Sequence, residues 1–552
     1  MRNPEVVLNN LTKQGVKPDY RFEKLYRVLF NEEMFYVAYQ QLYAKVGNMT
    51  AGSDGQTIDE MSLQRIEKLI GSLRDETYQP NPARRVYIPK KDGKKRPLGI
   101  PSFDDKLVQQ TVKMILESIY EASFEPTSHG FRPYKSCHTA LNHVHKNYSG
   151  VKWFVEGDIK GFFDNINHDV LIGILKERIA DERFIRLIRK FLNAGYVEEW
   201  VFHKTYSGTP QGGIISPMMA NIYLDKMDKF IKEYASNFDK GVKRADNPEY
   251  FKLSRKIAKL NYKLEKVEES QIKLRRERVK EIVKQRNLLS SGDAMDDVFR
   301  RLKYVRYADD FLIGIIGSKE DCQLIKKDIS DFLREKLKLE LSDEKTLITH
   351  ASESAKFLAY EISVRKSTTD VKRNMLGKLC RCYNGRVMLN MPTDTMRKKL
   401  NDYEVLKFTT HNKVELWKPQ SRIKVVNNDD LEILETYNAE IRGFYNYFSI
   451  ANNASSINDF KHIMQYSMYK TFAKKYSTSV RKIIAKYRIN KDFAVRFVNK
   501  KGEEKTRVFY NSGFKKKRVV NVNFNDQIPS SIYNTSSTSL IDRLKAQKCE
   551  LC

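Results

Sequence analysis

Apolar and polar positions recur with two distinct periods along this chain, and the switches between them divide it into segments. From residue 21 to 75 the apolar positions fall at helical spacing, interrupted by "NMTAGSDGQT", a glycine-rich loop. Residues 84–101, "RRVYIPKKDGKKRPLGIP", predict a strand, an Asp-Gly turn and a second strand, studded with cations. A helix is expected around 105–122, and "WFVEGDIKGFFDNI" (153–166) reads as a strand running into a turn and helix. "SGTPQGGIISPMMANIYLDKMDKFI" opens as a glycine-rich loop and becomes an amphipathic helix. From about 243 to 290 the character changes: "KLSRKIAKLNYKLEKVEESQIKLRRERVKEIV" is charged, helical in period and free of glycine and proline. It predicts a protruding helical hairpin inserted ahead of "YVRYADDFLIGIIG" (304–317), which reads as two short strands meeting at a turn. After 390 the pattern is helical again. In "NNDDLEILETYNAEIRGFYNYF" Asp429 is the expected N-cap with Glu432 three residues on, and Ile433, Tyr437, Ile441, Phe444 and Phe448 share one face. No internal repeat is evident.

A chain of 552 residues is too long for one core, so two to four domains are expected. Its 99 Lys+Arg against 69 Asp+Glu leave a net charge of +30, more than solubility requires, and point to a polyanionic partner. With 30 Tyr and 29 Phe beside that charge, nucleic acid fits better than a membrane surface. The N-terminus "MRNPEVVLNN" has no apolar core of the signal-peptide kind. The strongly apolar runs are far shorter than the roughly 20 residues that span a bilayer, so a soluble protein is expected. Six cysteines in so long a chain argue for a reducing compartment. Cys137, Cys322, Cys380 and Cys382 read as buried thiols, while Cys549 and Cys552 form a C-x-x-C at the last residue.

Asp309 and Asp310 change this picture, because they interrupt an apolar run. Asp-Asp also occurs at 104–105, 296–297 and 429–430, but only here do β-branched and aromatic residues flank it on both sides. Buried paired charges are costly unless a cation compensates them. Asp158, at the end of "WFVEGD", has a similar setting. If the two strands are neighbours in one sheet, three carboxylates converge, and they would hold two Mg²⁺, hard cations that prefer oxygen ligands. Two such ions about 3.5–4 Å apart stabilise the attacking and leaving oxygens of an in-line phosphoryl transfer. Taken alone, the same residues fit a turn cap and a polar hairpin tip equally well.

The order of the segments decides between these readings. "YIPKKDGKKRPLGIP", "EGDIKGFFDNI", "GTPQGGIISP", "YADDFLI", "LSDEKTLITH" and "FLAYEI" follow one another with ordinary gaps. The series resembles the fingers and palm blocks of reverse transcriptases, specifically those encoded in group II introns. "SHGFRPYKSCHTAL" and "NAEIRGFYNYF" are similar to that lineage, the second to its maturase (X) domain. The resemblance implies a multidomain α/β right-hand polymerase: fingers and palm with antiparallel sheet, a helical thumb/maturase domain and a basic C-terminal DNA-binding region. It implies Asp158, Asp309 and Asp310 as catalytic metal ligands, with a backbone oxygen from Ile159. Lys90 and Arg96 would grip the incoming dNTP triphosphate. Phe163 would be the steric gate that leaves no room for a 2′-hydroxyl, Gln211 would line the nucleotide pocket, and Tyr307 would lie near the primer end. In "FLAYEI", Ala359 stands where the family more often has glycine, and no loss of function is read from it.

The domains expected on this basis are an N-terminal helical extension (1–80) and fingers and palm (81–365, with the insertion at about 243–290). A thumb/maturase domain (366–480) and a DNA-binding region (481–548) follow. Residues 481–520 hold 14 Lys+Arg and 3 Asp+Glu, including "KKKR" at 515–518. In the maturase helix only Arg442 and the exposed polar face are expected to touch RNA. The closing "KCELC" (549–552 for the cysteine pair) looks like the stub of an HNH endonuclease domain, and two cysteines do not complete a four-ligand site, so no endonuclease activity is expected. The implied partners are the group II intron RNA and target DNA, with no membrane. The implied function is RNA-directed DNA synthesis with Mg²⁺, splicing assistance and mobility by target-primed reverse transcription. The implied setting is a bacterial-type cytoplasmic ribonucleoprotein, an organelle being the alternative. A maturase with a dead polymerase site, an RNA-templated RNA polymerase and an RNA chaperone are the rivals. The carboxylates disfavour the first, Phe163 the first two, and the ordered blocks the last.

Overall fold

The structure is a computed structural model. It describes residues 3–518 apart from 44–45, 90–92, 94, 200, 206, 209–211, 263–268, 290, 294–295, 366–370, 374–376, 378, 382–384, 412–413 and 500. Lys90, Gln211, Cys382, Cys549 and Cys552 therefore lie outside the described residues.

The apolar run that holds Asp309 and Asp310 is the middle of a four-stranded antiparallel sheet. Its order is Arg301–Tyr307, Asp310–Ile316, Trp153–Asp158, Leu347–His350. Side chains on a strand alternate between faces, and here the two faces enter different cores. Val155, Phe311, Ile313 and Ile315 join the core that contains helices Phe103–Tyr120 and Ser216–Phe238. Phe154, Val305 and Leu312 join a second core with Tyr148, Phe357 and the helices of the C-terminal half. A sheet covered on both faces has no polar side, which is why "FLIGII" reads as continuously apolar. Two glycines let rings cross this sheet. A Cβ on Gly157 would sit 2.0 Å from the Phe311 ring, and one on Gly314 would sit 2.5 Å from Tyr148.

The first core also takes up the N-terminal helices Pro4–Gly15, Glu32–Tyr43 and Leu63–Arg74. They wrap helix Phe103–Tyr120, whose side chains are buried almost all round. A second sheet is ordered Lys95–Ile100, Ala83–Pro89, Tyr196–Glu198, Val201–His203. Its first two strands are the expected basic hairpin, with Arg96 opposite Ile88. The charged insertion forms helices Pro248–Asn261 and Glu269–Asn287, which pack on each other. Its base is closed by antiparallel bridges, Asp246 to Gly292 and Lys240 to Arg300.

The region after 390 is not purely helical, contrary to the sequence expectation. Between helices Thr393–Asp402 and Asp430–Phe448 lies an antiparallel hairpin, Leu406–His411 with Val414–Pro419. Its alternation, with Phe408 and Trp417 paired across the strands and packed on the second core, is short enough to pass for helix in a basic context. The basic segment from 481 is folded as well. Helix Val480–Tyr487 leads into a sheet of Arg488–Ile489, Asp492–Val498 and Glu504–Val508, and Phe493, Val495, Phe509 and Phe514 are buried in the second core. "KKKR" runs along helix Asp430–Phe448: Tyr445 Oη donates to the Lys515 carbonyl at 2.7 Å and Lys517 N to the Ser449 carbonyl at 2.7 Å. Asp429 caps that helix by accepting from Leu431 N, and Ile433, Tyr437, Ile441, Phe444 and Phe448 are buried as expected. Of the thiols, Cys322 is buried and Cys137 is only half-buried. No helix among the described residues is long and apolar enough to cross a membrane.

Candidate active site

The strand register brings the three aspartates together. Asp158 lies directly opposite Asp310, and Tyr307 pairs with Asp310 to close a two-residue loop of Ala308 and Asp309. Two ends of the sheet, about 150 residues apart in sequence, thus present carboxylates at one edge. Ile159, the next residue after Asp158, is buried and bridges to Leu341. Tyr307 is half-buried against the second core at the end of its strand.

The electrostatics of this edge are those of an excess of negative charge. Desolvation, then Asp309 and Asp158, push the Asp310 carboxyl up to about 7, although the residue keeps part of its surface exposed. Asp309 is also raised, chiefly by desolvation and then by Asp158, against the opposing pull of its own backbone N–H, Lys345 and Arg96. Arg96 of the basic hairpin is thus among the cations that lower the Asp309 carboxyl.

Lys345 was not singled out from the sequence, although it lies in the "LSDEKTLITH" block. A turn in which Lys345 N and Thr346 N both donate to the Ser342 carbonyl, while Ser342 N donates to the Asp158 carbonyl, aims its ammonium at Asp158 Oδ2, 2.8 Å away. Asp158, first of several causes, raises the Lys345 pKa. Among the described residues no three metal-ligating side chains close around one point, Asp158 being engaged by Lys345. The donor set is nonetheless all carboxylate oxygen, which suits a hard divalent cation.

Phe163 sits on the short helix Phe162–Asn165, which starts from Gly161 in the left-handed region (φ 54°). The glycine-rich loop is fastened to this turn. Gly208 N donates to the Ile166 carbonyl at 2.8 Å, His168 Nε2 bonds the Gly208 carbonyl at 2.8 Å, and Ser207 Oγ donates to the Asp164 carbonyl at 3.1 Å. A Cβ on Gly208 would meet the Phe163 carbonyl at 2.8 Å. At the other end of the loop, Gly212 (φ 116°) lies against Gly99 of the basic hairpin, where a Cβ would be 2.4 Å from the carbonyl. The loop's glycines are therefore contact points with the Phe163 turn and with the hairpin strand.

Arg442 is not part of this site. It is exposed on helix Asp430–Phe448 and bonds Glu435 at 3.2 Å, a carboxylate that also pairs with Arg507. The aromatic residues around it serve the fold: Tyr447 Oη donates to the Leu358 carbonyl at 2.9 Å, and Tyr360 Oη donates to the Tyr447 carbonyl. These bonds hold the tight turn of "FLAYEI", where both Leu358 (φ 49°) and Ala359 (φ 58°) are left-handed, which is the physical reason glycine suits the position of Ala359.

Asp158, Asp309 and Asp310 meeting at the ends of neighbouring strands are the acidic arrangement that metal-assisted phosphoryl transfer uses. The chain matches the reverse transcriptase (RNA-dependent DNA polymerase) family over residues 88–247 and 277–362, which gives it the right-hand polymerase fold and RNA-directed DNA polymerase activity. Residues 248–276, much of the helical insertion, fall in the gap of that match. Residues 384–531 match the type II intron maturase family, a match that runs through position 480 without a break. The chain is 43% identical over its whole length to the group II intron-encoded protein LtrA of Lactococcus lactis subsp. cremoris, covering 91% of that protein. It is 36% identical over 494 residues to the putative COX1/OXI3 intron 1 protein of Saccharomyces cerevisiae, covering 57% of it, with 88% of this chain aligned. The chain belongs to the group II intron-encoded proteins, as a reverse transcriptase and maturase.

Proposed function

We propose that this reverse transcriptase binds its own group II intron RNA, assists its splicing and copies it into DNA primed at a DNA target. The observation that carries the polymerase part is the register that sets Asp158 opposite Asp310, with Asp309 in the turn that leads into the Asp310 strand. Asp158, Asp309 and Asp310, with the Ile159 backbone, would hold two Mg²⁺, which supply stabilisation of the attacking and leaving oxygens when bound. Arg96 and Lys90 offset the triphosphate charge of the dNTP, and Lys345 stands beside the carboxylates as a cation paired with Asp158. Gln211 lines the nucleotide pocket and Tyr307 the primer end. Intron RNA is bound by the maturase half, with Arg442 on its outer face, and the basic sheet 488–508 contacts target DNA. Splicing of the intron RNA by the purified protein, with and without polymerase-site substitutions, tests the combined reading.

Phe163 supplies a sharper test. Its ring packs on Phe162, centroid to centroid 5.2 Å, and its backbone carbonyl lies against Gly208 of the glycine-rich loop, which fixes the turn that carries it. Phe163→Val is expected to raise ribonucleotide incorporation at least about tenfold relative to deoxyribonucleotide, a methyl-scale contact being worth 1–3 kcal/mol. An unchanged dNTP/NTP ratio in single-turnover kinetics would place the gate elsewhere.

Protons and Mg²⁺ should compete at Asp310. In metal-free protein its carboxyl, with its pKa pushed up to about 7, is protonated below that pH and ionised above it. Mg²⁺ affinity is therefore expected to rise with pH up to about 7, by up to about tenfold per unit for one displaced proton, and to level off above. Calorimetric Mg²⁺ titrations at pH 6 and 8 check this. Equal affinities would show that Asp310 releases no proton on binding.

A further inference from the structure

Behind the carboxylate turn lies a buried charge that the polymerase chemistry does not use. Arg306 is fully buried, and each of its five N–H donors has a partner. Nε donates to Asp228 Oδ1 at 2.8 Å and Nη2 to Asp228 Oδ2 at 2.6 Å, a two-pronged pair. Nη2 also donates to Ser128 Oγ at 2.8 Å, and Nη1 to Asn221 Oδ1 at 3.2 Å. The fifth bond leaves the cluster: Nη1 donates to the carbonyl of Ala308 at 2.8 Å, inside the loop that bears Asp309. Ala308 has φ 56°, a left-handed conformation that an alanine adopts only when something holds it there.

The rest of the cluster closes on the same loop. Asn221 and Asp228 stand seven residues, two turns, apart on helix Ser216–Phe238, and Tyr304 Oη donates to Asp228 Oδ1 at 2.7 Å. Asn221 Nδ2 donates to the Gly130 carbonyl at 2.8 Å. Gly130 is pressed so closely on the loop that a Cβ there would lie 2.3 Å from Ala308 N. The backbone of 127–129 is bonded to Arg306 on both sides, Arg306 N to the Thr127 carbonyl and His129 N to the Arg306 carbonyl, each at 2.9 Å. A buried ion pair is by itself a weak source of stability, and apolar residues of similar size replace one at little cost. What an apolar pair cannot do is hold the Ala308 carbonyl.

We propose that Arg306, clamped by Asp228 and Asn221, is a positioning residue that fixes Ala308 in its left-handed conformation and so sets the direction in which Asp309 presents its carboxylate to the metal. The segment at Gly130, which carries "SHGFRP", is the backstop of the same device. The inference rests on the metal-site reading of Asp309 given above. Arg306 touches neither metal nor nucleotide, and it acts through the loop.

Three measurements test it on the full chain. In the wild-type protein without metal, hydrogen exchange at the amides of 307–310 should be protected at least tenfold over an unstructured reference. Free exchange there would overturn the proposal whatever any variant does. Arg306→Lys keeps the charge beside Asp228 but replaces the five-donor fork by a single ammonium. The paired variant Arg306→Met with Asp228→Leu removes both charges and keeps the packing. In whichever folds, with intron RNA affinity held, exchange at 307–310 should quicken at least tenfold and Mn²⁺ affinity by electron paramagnetic resonance should fall at least tenfold. The turnover number should fall with little change in the KM for dNTP. A folded variant with wild-type exchange and Mn²⁺ affinity would reduce the cluster to a stabilising ion pair. Asp309→Ala, measured alongside, separates the two layers: if it binds Mn²⁺ like the wild type, the metal reading fails, whereas the wild-type exchange result bears on the positioning claim alone.

Discussion

Asp309→Ala and Asp158→Ala are expected to lose dNTP incorporation on a poly(rA)/oligo(dT) template by about 10³-fold or more. The loss follows from removing a metal ligand worth several kcal/mol of transition-state stabilisation, each 1.36 kcal/mol being a factor of ten. Intron RNA affinity should stay close to wild type, because both side chains lie at the sheet edge and contribute no cation to an RNA surface. Splicing at moderate Mg²⁺ should survive in Asp309→Ala for the same reason. Activity above a few per cent in either variant would break the carboxylate assignment. Loss of splicing in a folded Asp309→Ala protein would show that the two activities are not separable.

The second large effect concerns the boundary at 480. A chain ending there should lose its maturase half, not merely its DNA affinity, because Phe493, Val495, Phe509 and Phe514 are buried in the core built on helices Asp430–Phe448 and Ile457–Lys475. Removing a buried Phe costs about 3–5 kcal/mol, so three of them together with Val495 are comparable to the whole of the roughly 5–15 kcal/mol that holds a domain together. Truncation after 518 leaves all of them in place and is the comparison. Thermal unfolding followed by circular dichroism distinguishes the two, and a normal transition in the chain ending at 480 would contradict the shared core. DNA contact by this region is then tested by charge alone. Neutralising exposed Arg496, Lys501 and Lys505 to glutamine should weaken target-DNA binding and lower its salt dependence by up to about one counterion per residue.

Much of this protein was legible from local chemistry. The apolar strands at 153–158 and 310–316, the two strands of the basic hairpin and the charged insertion are each set by nearest neighbours along the chain, and the structure has them where the pattern predicts. The three aspartates stood out in the sequence as carboxylates beside apolar strands, but alone they fitted a turn cap and a polar hairpin tip equally well, and only the order of the segments favoured a metal site. The hairpin at 406–419 was not legible, since six-residue strands in a basic stretch carry too few alternations to stand out from helix.

Other features have no local signal at all. Lys345 meets Asp158 only because Ser342 N bonds the Asp158 carbonyl, a contact between positions almost 190 residues apart. Arg306 reads as one more cation beside "YADD", in a chain with 99 of them, until Asp228, Asn221 and Ser128 are seen around it. The sequence by itself determined the elements, the charge and the identity of the chemical groups, because these depend on residue type and short spacing. The tertiary structure alone decided the register of Asp158 against Asp310, the burial of the segment beyond 480 and the support behind the turn. Each of these depends on which distant backbones pack together, and a buried charge is tolerated only where such packing supplies every partner it needs.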